Sequence, residues 1–239
     1  MHATGLESEY EGKENEKAKA IKCVSNLKNC GMIAGFYAND NSSYYITRYN
    51  YIVNGSVAPL SWGGTLYELG YIKNPQIMSC PSSTINKLKN ASGQYIYIYG
   101  TYTNPTCFTF GYMADSNNWR GFNTKHMYHP GKLIYLADAN DPREAPNDQF
   151  YGINPNGNNT FFARHTGQVS GVFFDGHATL TRAPELRNLF LTFRNPNYYT
   201  YGAVKYITLN KLLFLYFSSG SSPSLASSIE PPCLPYPGI

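Results

Sequence analysis

From Glu14 to Asn39 the chain carries one apolar stripe at helical spacing. Ala20, Cys23, Leu27, Cys30, Ala34 and Tyr37 follow one another by three or four residues. Ile21, Val24, Met32, Ile33 and Phe36 widen it. At 1.5 Å per residue this makes a helix of roughly 39 Å, against a radius of gyration of roughly 18 Å for a domain of this size. The helix therefore crosses the whole domain. Whatever the remaining chain forms must offer an apolar surface long enough to receive it. Asp40-Asn41-Ser42-Ser43 stops the helix, and residues 1–13 read as a disordered lead-in.

The remainder reads as β. Thr160 to Arg164, Val169 to Phe174 and His177 to Thr181 are predicted as a three-stranded meander. Asp175-Gly176 joins the last two strands, as a two-residue link whose members both tolerate positive φ. Lys132 to Ala137 is a central strand ending in Asp138. Gln94 to Tyr102 alternates with period two, and Cys107 to Met113 is its hairpin partner across Asn104-Pro105. Residues 44–90 carry the turn signals Asn54-Gly55 and Gly63-Gly64, a helical turn at 65–69 and an extended segment, Ile77 to Cys80, ending at Pro81. Residues 139–159 form a long loop, and Pro184 opens a helix running to Phe193. The fold class is α+β, a long N-terminal helix packed on a small antiparallel sheet. One domain covers residues 14–195, and a C-terminal extension covers 196–239, Ser/Pro-rich from about residue 218.

Charge removes two classes of function. The chain has 19 basic and 15 acidic residues, and its net charge of +4 comes without a Lys/Arg cluster, so it has no footprint for nucleic acid. No apolar run approaches the ~18 residues of a membrane-spanning helix. Only 14% of residues are charged while 22 are Tyr, which gives a surface hydrated by neutral groups, as in exported β-rich proteins and filaments. Residues 1–20 hold no apolar h-region. That leaves a cytosolic protein, or an exported one whose export segment is not part of this sequence. The five cysteines show no C-x2-C spacing, which argues against a structural zinc site. Cys23 and Cys30, seven apart on one helix, lie about 10 Å apart and cannot bond each other.

Three pieces in order, KAKAIKCVSNLKNCGMIAGFYANDN at 17–41, IMSCPSS at 77–83 and RHTGQVSGVFFDGH at 164–177, carry a resemblance. In the third, His165, nine residues and Asp175-Gly176 make an H-x(9)-D-G signature. Together they resemble the type IV pilin-like proteins, akin to type II secretion pseudopilins, with a prepilin-type processing-associated H-x(9)-D-G domain. The match covers roughly residues 17–190, and it lacks the family's apolar N-terminal anchor and its processing site. The resemblance implies a non-enzymatic filament subunit in the cell envelope or outside the cell, anchored in the inner membrane before assembly. It would self-associate, and meet other pilin-like subunits, through the absent anchor, which is also its only contact with a membrane. Because Cys23 and Cys80 both stand in family motifs, the resemblance implies a Cys23–Cys80 bridge, with Cys30–Cys107 the second. A crossed pairing and reduced thiols are the alternatives.

Candidate chemistry is sparse. In a meander His165 and Asp175 sit at opposite ends of one strand, about 20 Å apart, so the signature reads as structural and no catalytic residue is assigned. His126 and His129, three apart beside Pro130-Gly131, read as loop residues and not as a metal pair. Asp138, Asn140, Asp141 and Asp148, with Asp175 on a nearby turn, offer the hard oxygens that calcium takes, and some pseudopilins pin a C-terminal loop with calcium. No other cofactor is expected. The alternative function is an extracytoplasmic binding module presenting Tyr-rich loops, 44–75 and 139–159, to a carbohydrate or protein ligand.

Overall fold

A computed structural model describes residues 3–53, 56–85, 87–102, 113–115, 119–127, 129–141, 148–153, 160–182, 184–186, 188–189 and 207–208. The first helix, α1, runs Ala3–Asp40, about 57 Å at 1.5 Å per residue. It begins well before Glu14, so the segment 1–13 expected to be disordered is helical from Ala3. Straight-chain residues favour a helix without tertiary support, and pairs such as Glu14–Lys17 (3.3 Å) and Glu16–Lys19 (3.0 Å) add a few tenths of a kcal/mol each. From Tyr10 to Lys19 no side chain is buried.

From Ala20 onward α1 lies on the body. Ala20, Cys23, Leu27, Cys30 and Ala34 are buried, with Tyr37 half-buried, and Asn26, Gly31 and Ala38 join this face. Ile21, Met32 and Phe36 do not widen it: they are 67%, 46% and 61% exposed. At 100° per residue they lie about 120–180° round from Leu27, on the solvent side. The buried face packs on strands β1, Tyr44–Val53, β10, Gln168–Phe173, and β11, Ala178–Arg182. At Gly31 a Cβ would stand 2.6 Å from Val172 Cγ2, so the helix approaches β10 as closely as it does only because no side chain intervenes. Asn41 Nδ2 donates to the Tyr37 carbonyl at the helix end, and Ser42 and Ser43, at φ 54° and 70°, turn the chain into β1.

The remaining elements, in chain order, are β2, Ser56–Ser61, helix α2, Trp62–Glu68, β3, Thr101–Tyr102, β4, Met113–Asp115, and β5, Trp119–Asn123. Then come β6, Ile134–Ala137, β7, Ala139–Asn140, β8, Gly152–Ile153, β9, Thr160–Ala163, and, past β11, β12, Ile207–Thr208. They form sheets ordered β2-β1-β5-β4, β11-β10-β6, β12-β9-β7 and β3-β8.

Several expectations change here. Residues 160–182 are not one meander, because β9 pairs with β7 and β12 while β10 pairs with β11 and β6. The β10–β11 link is longer than two residues: Phe173 N–H donates to His177 O, and only Gly176 takes a positive φ, 87°. A three-residue turn with glycine in the left-handed region satisfies the strand twist equally well. The strand predicted over 94–102 survives only as β3, since Tyr95, Ile98, Tyr99 and Gly100 are all buried and the two faces do not alternate. Its predicted partner around Cys107 lies outside the described residues. Strands β1 and β2 pair as a hairpin, residues 62–68 are a helix, and Asp141 and Asp148–Phe150 are buried. The 196–239 extension contributes β12, parallel to β9. Tyrosine is also core material. Tyr99 and Tyr135 are fully buried, and Tyr45, Tyr135, Phe174 and Phe122 meet as a chain of rings with centroids 5.0–5.3 Å apart.

Candidate functional site

Four separate segments bring polar atoms to one point beneath α1. Cys23 comes from the buried face of α1. Cys80 follows the 3-10 turn Pro75–Met78, and this segment is held to α1 by Asn26 Nδ2 donating to Ser79 O and Cys30 Sγ donating to Ile77 O. Asp138 stands between β6 and β7, fixed by its N–H to Ser170 O and its carbonyl from Phe162 N–H. His165 opens the tight turn from β9 to β10. Thr166 and Gly167 take φ 49° and 77°, and His165 and Gln168 exchange backbone hydrogen bonds of 3.3 and 2.9 Å.

Their side chains touch. Cys23 Sγ donates to Asp138 Oδ2 at 3.3 Å, and Cys80 Sγ lies 3.2 Å from His165 Nε2. The same Nε2 is 3.7 Å from Asp138 Oδ2, and the four ligand atoms all lie within 4.8 Å of one another. None of the four residues is more than 3% exposed. Tyr99 caps the group, its hydroxyl 3.2 Å from Cys23 Sγ. His165 Nδ1 is buried and has no hydrogen-bond partner among the described residues.

A ring of polar groups surrounds the cluster. Arg164 reaches Asp138 Oδ1 and Asp148 Oδ1 at 3.6 Å each, donates to Ser82 O, and lies over the Phe162 ring. Gln149 donates to Asp138 Oδ1 and accepts from Cys80 N–H and Ser79 Oγ. Asp148 accepts from Ser83 Oγ, Thr84 N and Oγ1, Ile85 N and Gln149 N, within 2.5–2.9 Å.

These contacts separate the acidities. Burial, then the neighbouring Cys80 and Asp138, push the Cys23 thiol well up. Burial alone would also raise Cys80, but hydrogen bonds from Cys23 and His165 and the charges of His165 and Arg164 bring it down to about 5. Burial and then the Cys80 charge raise Asp138 to about 7, against the pull of Arg164 and His165. Burial opposes the charged form of His165, yet its bond to Cys80 raises it overall. These directions favour the charged forms of Cys80 and His165 over those of Cys23 and Asp138.

Asp148 sets an acid limit. Burial opposes its ionised form, but the bonds from Ser83, Thr84 and Gln149 with the Arg164 charge hold it below the ordinary carboxylate range. A folded value below the unfolded one contributes stability that is complete above about pH 4 and is lost as pH falls through the folded value. Asp148→Asn should therefore cost about 1.5–3 kcal/mol at pH 7, and the gap between the urea midpoints of the two proteins should narrow as pH falls below about 4. A gap undiminished at pH 3 would show that the ionised carboxylate is not what holds residues 83–85.

The structure distributes the sequence candidates as follows. His165 and Asp175 are not partners. Asp175 lies beyond the far end of β10 on an exposed turn, where its Oδ1 accepts from His177 N–H and lies 2.6 Å from His177 Nδ1. Gly176 completes that turn. Cys23 and Cys80 are brought together, but as free thiols, each sulfur occupied by a hydrogen bond. Cys30 is a free buried thiol apart from them, and Cys107 lies outside the described residues. The oxygen set proposed for calcium is divided: Asp138 faces sulfur and nitrogen, Asn140 and Asp141 are buried after it, and Asp175 is at the other end of β10. What sequence reading did not join is Asp138 with the two cysteines and His165. One signal was present, since each of the three resembling pieces supplies one member: Cys23, Cys80 and His165.

Compared with family models, with curated proteins and with solved structures, the chain finds no match in any of the three.

Proposed function

We propose that the chain is a structural, non-enzymatic pilin-like or pseudopilin subunit of a type IV pilus or a type II secretion-like filament, acting in the cell envelope or outside the cell. The observation that carries this reading is the division of α1. Its second half is docked on antiparallel sheets from Ala20 onward, while from Tyr10 to Lys19 no side chain is buried. A subunit that assembles through helices needs this division, with one part holding the globular body and the other free for a neighbour. The polar cluster supports a structural role too. A nucleophile–base relay uses both ring nitrogens, one toward the nucleophile and one toward the orienting carboxylate. Here Cys80 and Asp138 both face Nε2, and Nδ1 is left over.

The test is assembly. The chain is expressed with a processing site and about 20 apolar residues placed ahead of α1, in a cell with a type II secretion machine. Electron microscopy should show surface fibres that an antibody to the globular body decorates. Processed protein that stays monomeric in the membrane, with no fibres, would count against the reading.

A further inference from the structure

We propose that Cys23, Cys80, Asp138 and His165 form a tetrahedral zinc site that fastens α1 to the β-body. This stands independently of the filament reading, since a soluble enzyme or binder of the same fold would carry the same site.

Geometry is the first argument. Zinc bonds of about 2.3 Å to sulfur and about 2.0–2.2 Å to nitrogen and oxygen set ligand atoms about 3.3–3.8 Å apart. The separations of 3.3 Å for Cys23–Asp138, 3.2 Å for Cys80–His165 and 3.7 Å for His165–Asp138 lie close to three edges of that tetrahedron, and all four ligand atoms lie within 4.8 Å of one another, so closing the shell needs only small side-chain shifts. Convergence of a thiol and a carboxylate on one imidazole nitrogen is wasteful in a hydrogen-bond network, because one proton cannot serve both. Around a cation it is required.

Donor chemistry is the second. Two sulfurs, one imidazole and one carboxylate suit zinc, while calcium takes six to eight oxygens. Four protein ligands with no open position make a structural rather than a catalytic site, and all four residues are buried. Charge is the third. Two thiolates and one carboxylate carry three negative charges; zinc supplies two positive ones, and the Arg164 guanidinium beside Asp138 supplies the third. Gln149, bonded both to Asp138 and to the Cys80 backbone, orients two of the ligands.

Cobalt(II) is the probe. One equivalent added to the reduced, metal-free chain should give the intense visible bands of tetrahedral cobalt and near-ultraviolet sulfur-to-cobalt charge transfer. Equimolar zinc should displace both and raise the melting temperature. Cys80→Ser and His165→Ala should each lose the tetrahedral spectrum, whereas Cys30→Ser, a buried thiol outside the cluster, should keep it. If the variants do not fold, X-ray absorption of the unaltered zinc-loaded chain decides, with a shell of two sulfurs and two nitrogen or oxygen atoms expected. A pale octahedral spectrum, a zinc shell without two sulfurs, or a Cys23–Cys80 peptide two hydrogens light from the unreduced protein would overturn the proposal.

Discussion

Arg164→Met should remove about 3–5 kcal/mol of stability, the cost of leaving buried charge without its partner. Arg164 is 3% exposed and is shared by two carboxylates, Asp138 at 0% and Asp148 at 2%. Methionine fills similar volume and keeps contact with the Phe162 ring, so the substitution tests the charge more than the packing. Arg164→Lys should fall between the two, because an ammonium carries the charge but cannot fork between Asp138, Asp148 and Ser82 O. The metal-free variant has one escape. Asp138, already pushed up to about 7, can take a proton, which removes one of the two stranded charges. A folded value above the unfolded one favours the fold at low pH and loses that advantage as pH rises through it. The Arg164→Met deficit should therefore be larger at pH 8 than at pH 5.5. Urea unfolding at both pH values measures it. A loss under about 1 kcal/mol, as for exposed pairs, would mean that Arg164 is hydrated and the ring of charge is not closed.

The helix was legible in the sequence because its burial is a local property. Spacings of three and four put Ala20, Cys23, Leu27, Cys30 and Ala34 on one face whatever the partner is. Strand existence was legible for the same reason, and β6, β9, β10 and β11 stand close to where alternation and short apolar runs put them. Strand neighbours were not legible. Period two reports which face is buried, not which edge is paired, and so β9 was joined to β10 when its hydrogen bonds go to β7 and β12. The 94–102 segment failed differently, because Tyr is apolar enough to be buried on either face and its alternation with Ile was only nominal. The cluster illustrates the hardest case. Its four members come from a helix, a loop, a strand end and a turn, and no short spacing connects them. The absence of C-x2-C excludes only ligands that arrive in pairs from one turn. Asp138 was read with Asn140 and Asp141 because they are sequence neighbours. The backbone bond from Asp138 N–H to Ser170 O instead fixes its carboxylate toward Cys23 and His165.

Leu27→Ala should cost about 2–5 kcal/mol, as for other fully buried leucines truncated inside a well-filled core. Leu27 is 0% exposed and belongs to the same core as Val172 and Leu136. Room for relaxation is small, because Gly31 already brings the helix against Val172 and no closer approach can fill the cavity. The contrasting substitution is Ile21→Ala. Isoleucine carries the same number of carbons, but Ile21 is 67% exposed on the far side of α1, and its loss should stay within about 0.5 kcal/mol. Denaturant unfolding supplies both energies. Amide exchange adds location: in Leu27→Ala, protection along residues 20–38 should fall, while residues 10–19, which have no buried side chain to lose, should exchange as they do in the unaltered chain. Equal costs at the two positions would mean that the buried face of α1 is misassigned, and with it the docking on which both the filament reading and the placement of Cys23 depend.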